Sequence, residues 1–314
     1  MASWSARQAG GGAWASGVGR FSLGALLVTG ALLAGVLGCG ASGGGGGETS
    51  VQRPPQGAFV SSDAKRRAVV WAAGDGADGG ASARQVTALI AAGRPDKLLY
   101  LGDVYETGSR SDFANHYAPT YGRLASLTAP TPGNHDWPQH LQGYDPYWAA
   151  TIGRPAPGFY AFRVGGWEIL SLNSEGPHAH GTPQDRWLRA QVRAPGTCRL
   201  AFWHRPRYSG GVEHGDEPDV QPFWDALRGH ATLVVNGHEH DMQRFKPIGG
   251  LTELVAGAGG HSHYHVLPHP GLEFSNASDD GALRLELSPG SARWAFVAVG
   301  GRVLDSGSVG CRAG

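Results

Sequence analysis

Five apolar runs in this chain each stop at a residue able to ligate a metal. Residues 67–73 end at Gly74-Asp75, residues 97–101 at Gly102-Asp103, and residues 199–203 at His204. Residues 231–235 lead into Asn236-Gly237-His238-Glu239-His240, and Ala129-Pro130-Thr131-Pro132 leads into Gly133-Asn134-His135-Asp136. A short apolar run closed by glycine reads as a strand buried on both faces, which requires a sheet covered by other elements. Residues 82–92, 183–192 and 222–227 carry helical spacing, the first closing at Gly93 and the second with Asp185 in its first turn. Alternation of this kind predicts an α/β domain whose strand ends deliver polar residues to one crevice. Taken singly the signals are ordinary. Asp after Gly is a common turn, and His-x-His also sits in surface turns.

The rest of the chain is read in the same way. Residues 111–127 are mostly helical with a break at Pro119, and the Trp-, Tyr- and Pro-rich stretch 137–158 reads as a long surface loop. Residues 159–164 and 168–172 form a hairpin about Gly165-Gly166. Beyond His240 the character changes to strands with short turns, over 252–256, 282–287, 293–299 and 303–306. No internal repeat and no second linker interrupts residues 66–310, so one domain is expected, and a monomer. A formal net charge of zero over 314 residues leaves no electrostatic footprint for nucleic acid.

Residues 1–39 read as a targeting segment. Arg7 and Arg20 precede an apolar run over 21–37 that has the length of a signal-peptide core and is marginal for a membrane span. It ends in Val36-Leu37-Gly38-Cys39, which resembles the lipobox of bacterial lipoproteins, where the Cys becomes the lipidated first residue. Leu37 is not the small residue usual there, so a plain secretory signal and an uncleaved anchor stand as alternatives. Each of the three puts the remainder outside the cytoplasm, secreted or held to a membrane only through an N-terminal anchor. Residues 40–65, with five consecutive glycines and Arg53-Pro54-Pro55, read as a flexible tether. Only Cys198 and Cys311 then remain. They are either one disulfide tying the C-terminus to a central strand or two buried thiols, and an oxidising compartment favours the first.

The order GD, GD, GNHD, H, GHxH resembles that of the calcineurin-like metallophosphoesterases. The likeness runs over essentially all of residues 66–310 and is strongest to secreted bacterial relatives of purple acid phosphatase. The segments LGDVYETG, FWHRPRYSGG, NGHEHDMQRF and LDSGSVGC carry it further. The resemblance implies an α/β fold of two mixed β-sheets packed as a sandwich flanked by helices. It also implies two metal ions, Fe paired with Zn, Mn or Fe, and a phosphate-ester substrate. Asp103 would bridge the ions, with Asp75, Tyr105 and His240 on the first and Asn134, His204 and His238 on the second. Two cations suit ester hydrolysis because they clamp the attacking and leaving oxygens, and an amide ligand such as Asn134 adds no negative charge. His135 would face substrate, with Asp136 as its orienting carboxylate. His214, ten residues beyond His204, matches a histidine that protonates the leaving alkoxide. Glu239 would be directed away from the ions.

Three features fit less simply. Ala77 stands where the general family motif has His. Tyr105 follows Asp103 by two residues, whereas purple acid phosphatases place a Tyr at three. If Tyr105 ligates, it stabilises ferric iron and gives a charge-transfer colour; if the spacing turns it away, the first ion is Zn, Mn or Fe(II). The histidines at 261, 263, 265 and 269 read as exposed residues of a flexible loop, although the resemblance brings that loop to the mouth. Rival readings are a cell-surface module that binds phosphate esters or metal with little turnover, and a metal scavenger. The complete ligand set argues against both.

Overall fold

The structure is a computed structural model that describes residues 59–311. The targeting segment, Cys39 and residues 40–58 of the expected tether lie outside the described residues. Phe59 and Val60 are already buried, Phe59 edge-on against Trp148 and Tyr160, so packing begins before residue 66.

Two sheets form the body. The first has the order β13-β12-β11-β1-β2-β3. Its parallel part is β1 (Ala68–Ala73), β2 (Lys97–Tyr100) and β3 (Thr128–Pro130). An antiparallel extension adds β11 (Gly281–Ser288), β12 (Ser291–Ala298) and β13 (Val303–Gly310). The second sheet has the order β10-β8-β9-β7-β6-β5-β4. It joins β4 (Tyr160–Val164), β5 (Trp167–Ser171), β6 (Cys198–Phe202) and β7 (Leu233–Asn236) to β8 (Met242–Phe245), β9 (Thr252–Ala256) and β10 (Leu272–Asn276). Both sheets are mixed, as expected.

Period-two burial assigns the faces of the second sheet. Ile169, Leu200, Phe202, Leu233 and Val235 join the large apolar cluster shared with the first sheet, which includes Val70, Leu99 and Leu285. Their neighbours Leu170, Ala201 and Val234 face the other way, into a second cluster. That cluster is closed by Leu188 of one helix (Pro183–Gln191) and by Phe223, Trp224 and Leu227 of another (Gln221–Leu227). The helix Ala81–Ala92 buries Ala83, Val86 and Ile90 on the first cluster. Among the described residues no helix is long and apolar enough to cross a membrane.

Two local readings are corrected. The stretch 137–158 is not one long loop, because residues Tyr144–Ile152 form an α-helix that ends at Gly153 in the left-handed conformation. Tyr144 and Trp148, one turn apart, are both buried, and that shared face outweighs Pro146 in the first turn. The helical stretch after Ser109 is assembled from short pieces, Arg110–Asp112, Phe113–Tyr117 and Tyr121–Leu127, with the break falling at Pro119 as expected.

Cys198 and Cys311 form a disulfide across 113 residues, with Cα atoms 5.4 Å apart. It joins the start of β6 in the second sheet to the residue that follows β13 in the first. Cys311→Ser is expected to lower the unfolding free energy by about 2–5 kcal/mol. A urea midpoint that does not move would refute a stabilising role.

Candidate metal centre

The parallel strands of both sheets end at one place. Asp75 follows β1, Asp103 follows β2, Asn134 follows β3, His204 follows β6, and His238 and His240 follow β7. Asp75, Asp103 and His238 have φ of 58°, 65° and 70°, a left-handed backbone that non-glycine residues seldom adopt. This conformation turns each side chain back across the strand ends. The preceding glycines are needed for closeness. A Cβ on Gly133 would lie 2.0 Å from Asp103 Oδ1, and one on Gly237 would lie 2.5 Å from Asp75 Oδ2.

The donors gather into two groups that share one atom. In the first group the Tyr105 hydroxyl lies 2.7 Å from His240 Nε2 and 3.4 Å from both Asp75 Oδ1 and Asp103 Oδ2. The shortened spacing after Asp103 therefore still turns Tyr105 into the centre. In the second, His204 Nε2 lies 2.9 Å from Asn134 Oδ1, 3.1 Å from His238 Nδ1 and 3.5 Å from Asp103 Oδ2. Asp103 Oδ2 belongs to both groups, while Oδ1 accepts the His135 N–H at 2.9 Å. His238 and His240 thus fall in different groups. The ring orientations are fixed from behind: His204 Nδ1 donates to the Leu101 carbonyl at 2.8 Å, and His240 Nδ1 lies 3.0 Å from Ser262 Oγ.

Electrostatics support a cationic occupant. Asp75, Asp103 and His204 are fully buried and their ligating atoms lie within 4.8 Å of one another, a group that could hold a metal ion. Burial alone would raise Asp103 and lower His204. Their mutual attraction instead holds Asp103 at about 2 and carries His204 up to about 10, so a proton on His204 offsets the carboxylate charge. A metal ion bound there takes that proton's place. Burial, then the positive charge of its neighbours, pushes His238 far below the ordinary histidine range and His240 down to about 3. Both are then neutral lone-pair donors, as ligands must be. A phenol, an amide oxygen, three imidazoles and two carboxylates, all convergent, fit a pair of transition-metal ions.

Asp136 does not orient His135. Its carboxylate accepts the backbone N–H of Asp103, Val104 and Gly133 at 2.8–3.0 Å, pinning the β2 and β3 ends together. Burial, then the nearby Asp103 charge, pushes it up to about 7. His135 Nδ1 bonds the Glu106 carbonyl at 2.6 Å, and its Nε2 lies 4.0 Å from Asp103 Oδ2. His214 stacks on His238 with ring centroids 3.8 Å apart.

The loop bearing the histidines at 261, 263, 265 and 269 does reach the centre, but the reading of its histidines as exposed residues of a flexible loop is corrected. The histidine loop is packed: His261 stacks on Tyr105 at 4.0 Å, Tyr264 stacks on His240 at 4.0 Å, and His263 pairs with Asp280 at 3.0 Å. Only His265 of the four histidines is exposed. Arg205 is engaged by Glu175 and Glu217 at 3.0 and 2.8 Å. Glu217 also lies 3.5 Å from His238 Nε2. Glu239 is turned away from the two donor groups, as expected, toward Ser209 and Gly215.

Known proteins agree with this architecture. Purple acid phosphatase 21 of Arabidopsis thaliana is 30% identical over 97 residues, covering 29% of this chain and 22% of that protein. A purple acid phosphatase from yellow lupin (Lupinus luteus) seeds superposes with a TM-score of 0.63 at 15% identity, over 81% of this chain and 55% of that one. The chain therefore spans only part of the length of these phosphatases. GAP50, the anchor in the inner membrane complex of Plasmodium, superposes with a TM-score of 0.63 at 15% identity, over 79% of this chain and 90% of that one. The sequence model of calcineurin-like phosphoesterases matches residues 68–242, more than half of the 314, and takes in every strand end of the centre. The chain belongs to the calcineurin-like phosphoesterase family.

Proposed function

We propose that the protein is a binuclear metal-dependent hydrolase of phosphate esters, a monoesterase of the acid-phosphatase kind acting outside the cytoplasm. The observation that carries this reading is the division of Asp103. One of its oxygens is common to two donor groups and the other is held by a backbone N–H, the arrangement a bridging carboxylate needs. Two bound cations would supply Lewis-acid activation of the phosphoryl group and of water. Asp75, Asp103, Tyr105 and His240 would hold one, and Asp103, Asn134, His204 and His238 the other. His135, fixed through Nδ1 and half-exposed, presents Nε2 to the phosphoryl oxygens. His214, at the solvent side of His238, donates a proton to the leaving oxygen. The apolar run before Cys39 and the Cys198–Cys311 bridge support an extracytoplasmic, lipid-anchored or secreted protein.

The test is metal-dependent release of nitrophenol from its phosphate ester. Release should disappear on chelation and return with added metal, and full activity after chelation would refute the reading. The metals proposed are Fe with Zn, Mn or Fe. With ferric iron beside Tyr105 the loaded protein should be coloured and Tyr105→Phe colourless; a colourless loaded wild type would exclude ferric tyrosinate. A second reading, a surface module with little turnover, draws on the Plasmodium anchor of the same fold. Tight binding of phosphate without hydrolysis under every metal would favour it.

A further inference from the structure

We propose that Glu239 is the positioning residue that holds His214 against the centre, an inference resting on the role of His214 argued above. Glu239 lies between His238 and His240, is fully buried, and turns its carboxylate to the loop of Ser209 and Gly215. Its Oε1 accepts the Ser209 hydroxyl at 3.0 Å and the Gly215 N–H at 2.8 Å. Its Oε2 lies 3.7 Å from His214 Nδ1. Gly215 is the residue after His214, so the carboxylate holds the peptide that follows the histidine and lies beside its imidazole.

The contact is close and braced. A Cβ on Gly211 would lie 2.1 Å from Glu239 Oε2, so the loop backbone rests on the carboxylate. Ser209 Oγ in turn accepts the Gly211 N–H at 2.8 Å and the Gln243 amide at 3.1 Å, and Gln243 Oε1 accepts the Gly210 N–H at 2.9 Å. Glu253, also fully buried, accepts the Arg207 and Tyr208 N–H groups at 2.8 and 3.1 Å. Three side chains from the β7–β9 region therefore hold the loop from Arg207 to Gly215 by its amides. Of the three, Glu239 alone reaches the part bearing His214. An apolar residue would fill the same volume, but it would leave the Gly215 N–H without an acceptor. The run thus has two faces: His238 and His240 serve the centre, and Glu239 between them carries the loop that bears His214.

The experiment compares full-length, metal-loaded wild type with Glu239→Ala and Glu239→Gln, since Gln keeps an acceptor oxygen for Ser209 and Gly215. Amide exchange of Gly215 reads the grip without reference to activity. Exchange should be faster in Glu239→Ala and near wild type in Glu239→Gln. For hydrolysis, Glu239→Ala should lower kcat about 10- to 100-fold with phenyl phosphate, with KM kept, as loss of an orienting partner does. With dinitrophenyl phosphate, whose leaving group needs little protonation, the loss should be within about 3-fold, and Glu239→Gln should restore the phenyl ester to a similar margin. Unchanged Gly215 exchange in Glu239→Ala, equal losses on both esters, or a Gln variant as impaired as Ala would each overturn the proposal. If wild type cleaves neither ester, the phosphatase reading fails while the exchange comparison still decides the role of Glu239. Should Glu239→Ala not fold, Glu239→Asp, whose shorter arm draws the carboxylate from Gly215, takes its place with the same expectations.

Discussion

Asp103→Asn is expected to lower metal-dependent ester hydrolysis by about a thousand-fold or more, well beyond the roughly 10- to 100-fold that loss of an outer partner produces. An amide cannot replace this carboxylate in either orientation. With its NH2 at the Oδ1 position, it would set donor against donor at the His135 N–H. With its NH2 at the Oδ2 position, it would aim N–H groups at both donor sets and at any cations they hold. His204 also loses the partner that favours its charge. The fold should survive, because Asn tolerates the left-handed backbone and the Asp103 N–H stays bonded to Asp136. The measurement pairs turnover with elemental analysis: fewer than two ions per chain, with an unchanged circular dichroism spectrum, is the expected result. Retention of two ions and of activity would remove Asp103 from the bridging role.

His214→Ala is expected to slow hydrolysis of phenyl phosphate by about 10²- to 10⁴-fold, the usual contribution of a general acid. The loss should shrink as the leaving group becomes more acidic, so that rates on a series of aryl phosphates diverge from wild type at the phenol end and converge at the dinitrophenol end. Metal content should hold, since His214 is in neither donor group and packs on the ring of His238 from outside. A uniform loss across the series would assign His214 to binding rather than to proton transfer.

The positions of the candidate ligands were legible because each follows a local signal. An apolar run buried on both faces and a glycine break can be read within ten residues, and four such breaks, with the run that ends at His204, point to one edge of a sandwich. Tyr105 was ambiguous in sequence, since spacing along a chain does not say where a side chain turns; the structure turns it into the first donor group. What could not be read depends on partners distant in sequence. Asp136 looks like a companion to His135, yet its acceptors are used on amides of the neighbouring strand. Glu239 looks like a spacer between two ligands until Ser209 and Gly215 are brought beneath it. The helix Tyr144–Ile152 hides in an aromatic, proline-bearing stretch because its stability comes from burying Tyr144 and Trp148, not from helix propensity.

The placement of the Cys198–Cys311 bridge bears on how the protein can be handled. Cys198 opens β6 and His204 follows its close, so the bridge and the centre lie at opposite ends of one strand, about 20 Å apart at the rise of an extended chain. A solid support or a fused partner joined beyond Cys311 would be fastened at the base of the sandwich. Substrates would still reach the mouth from the free side, and the covalent link would keep that base from peeling away under load.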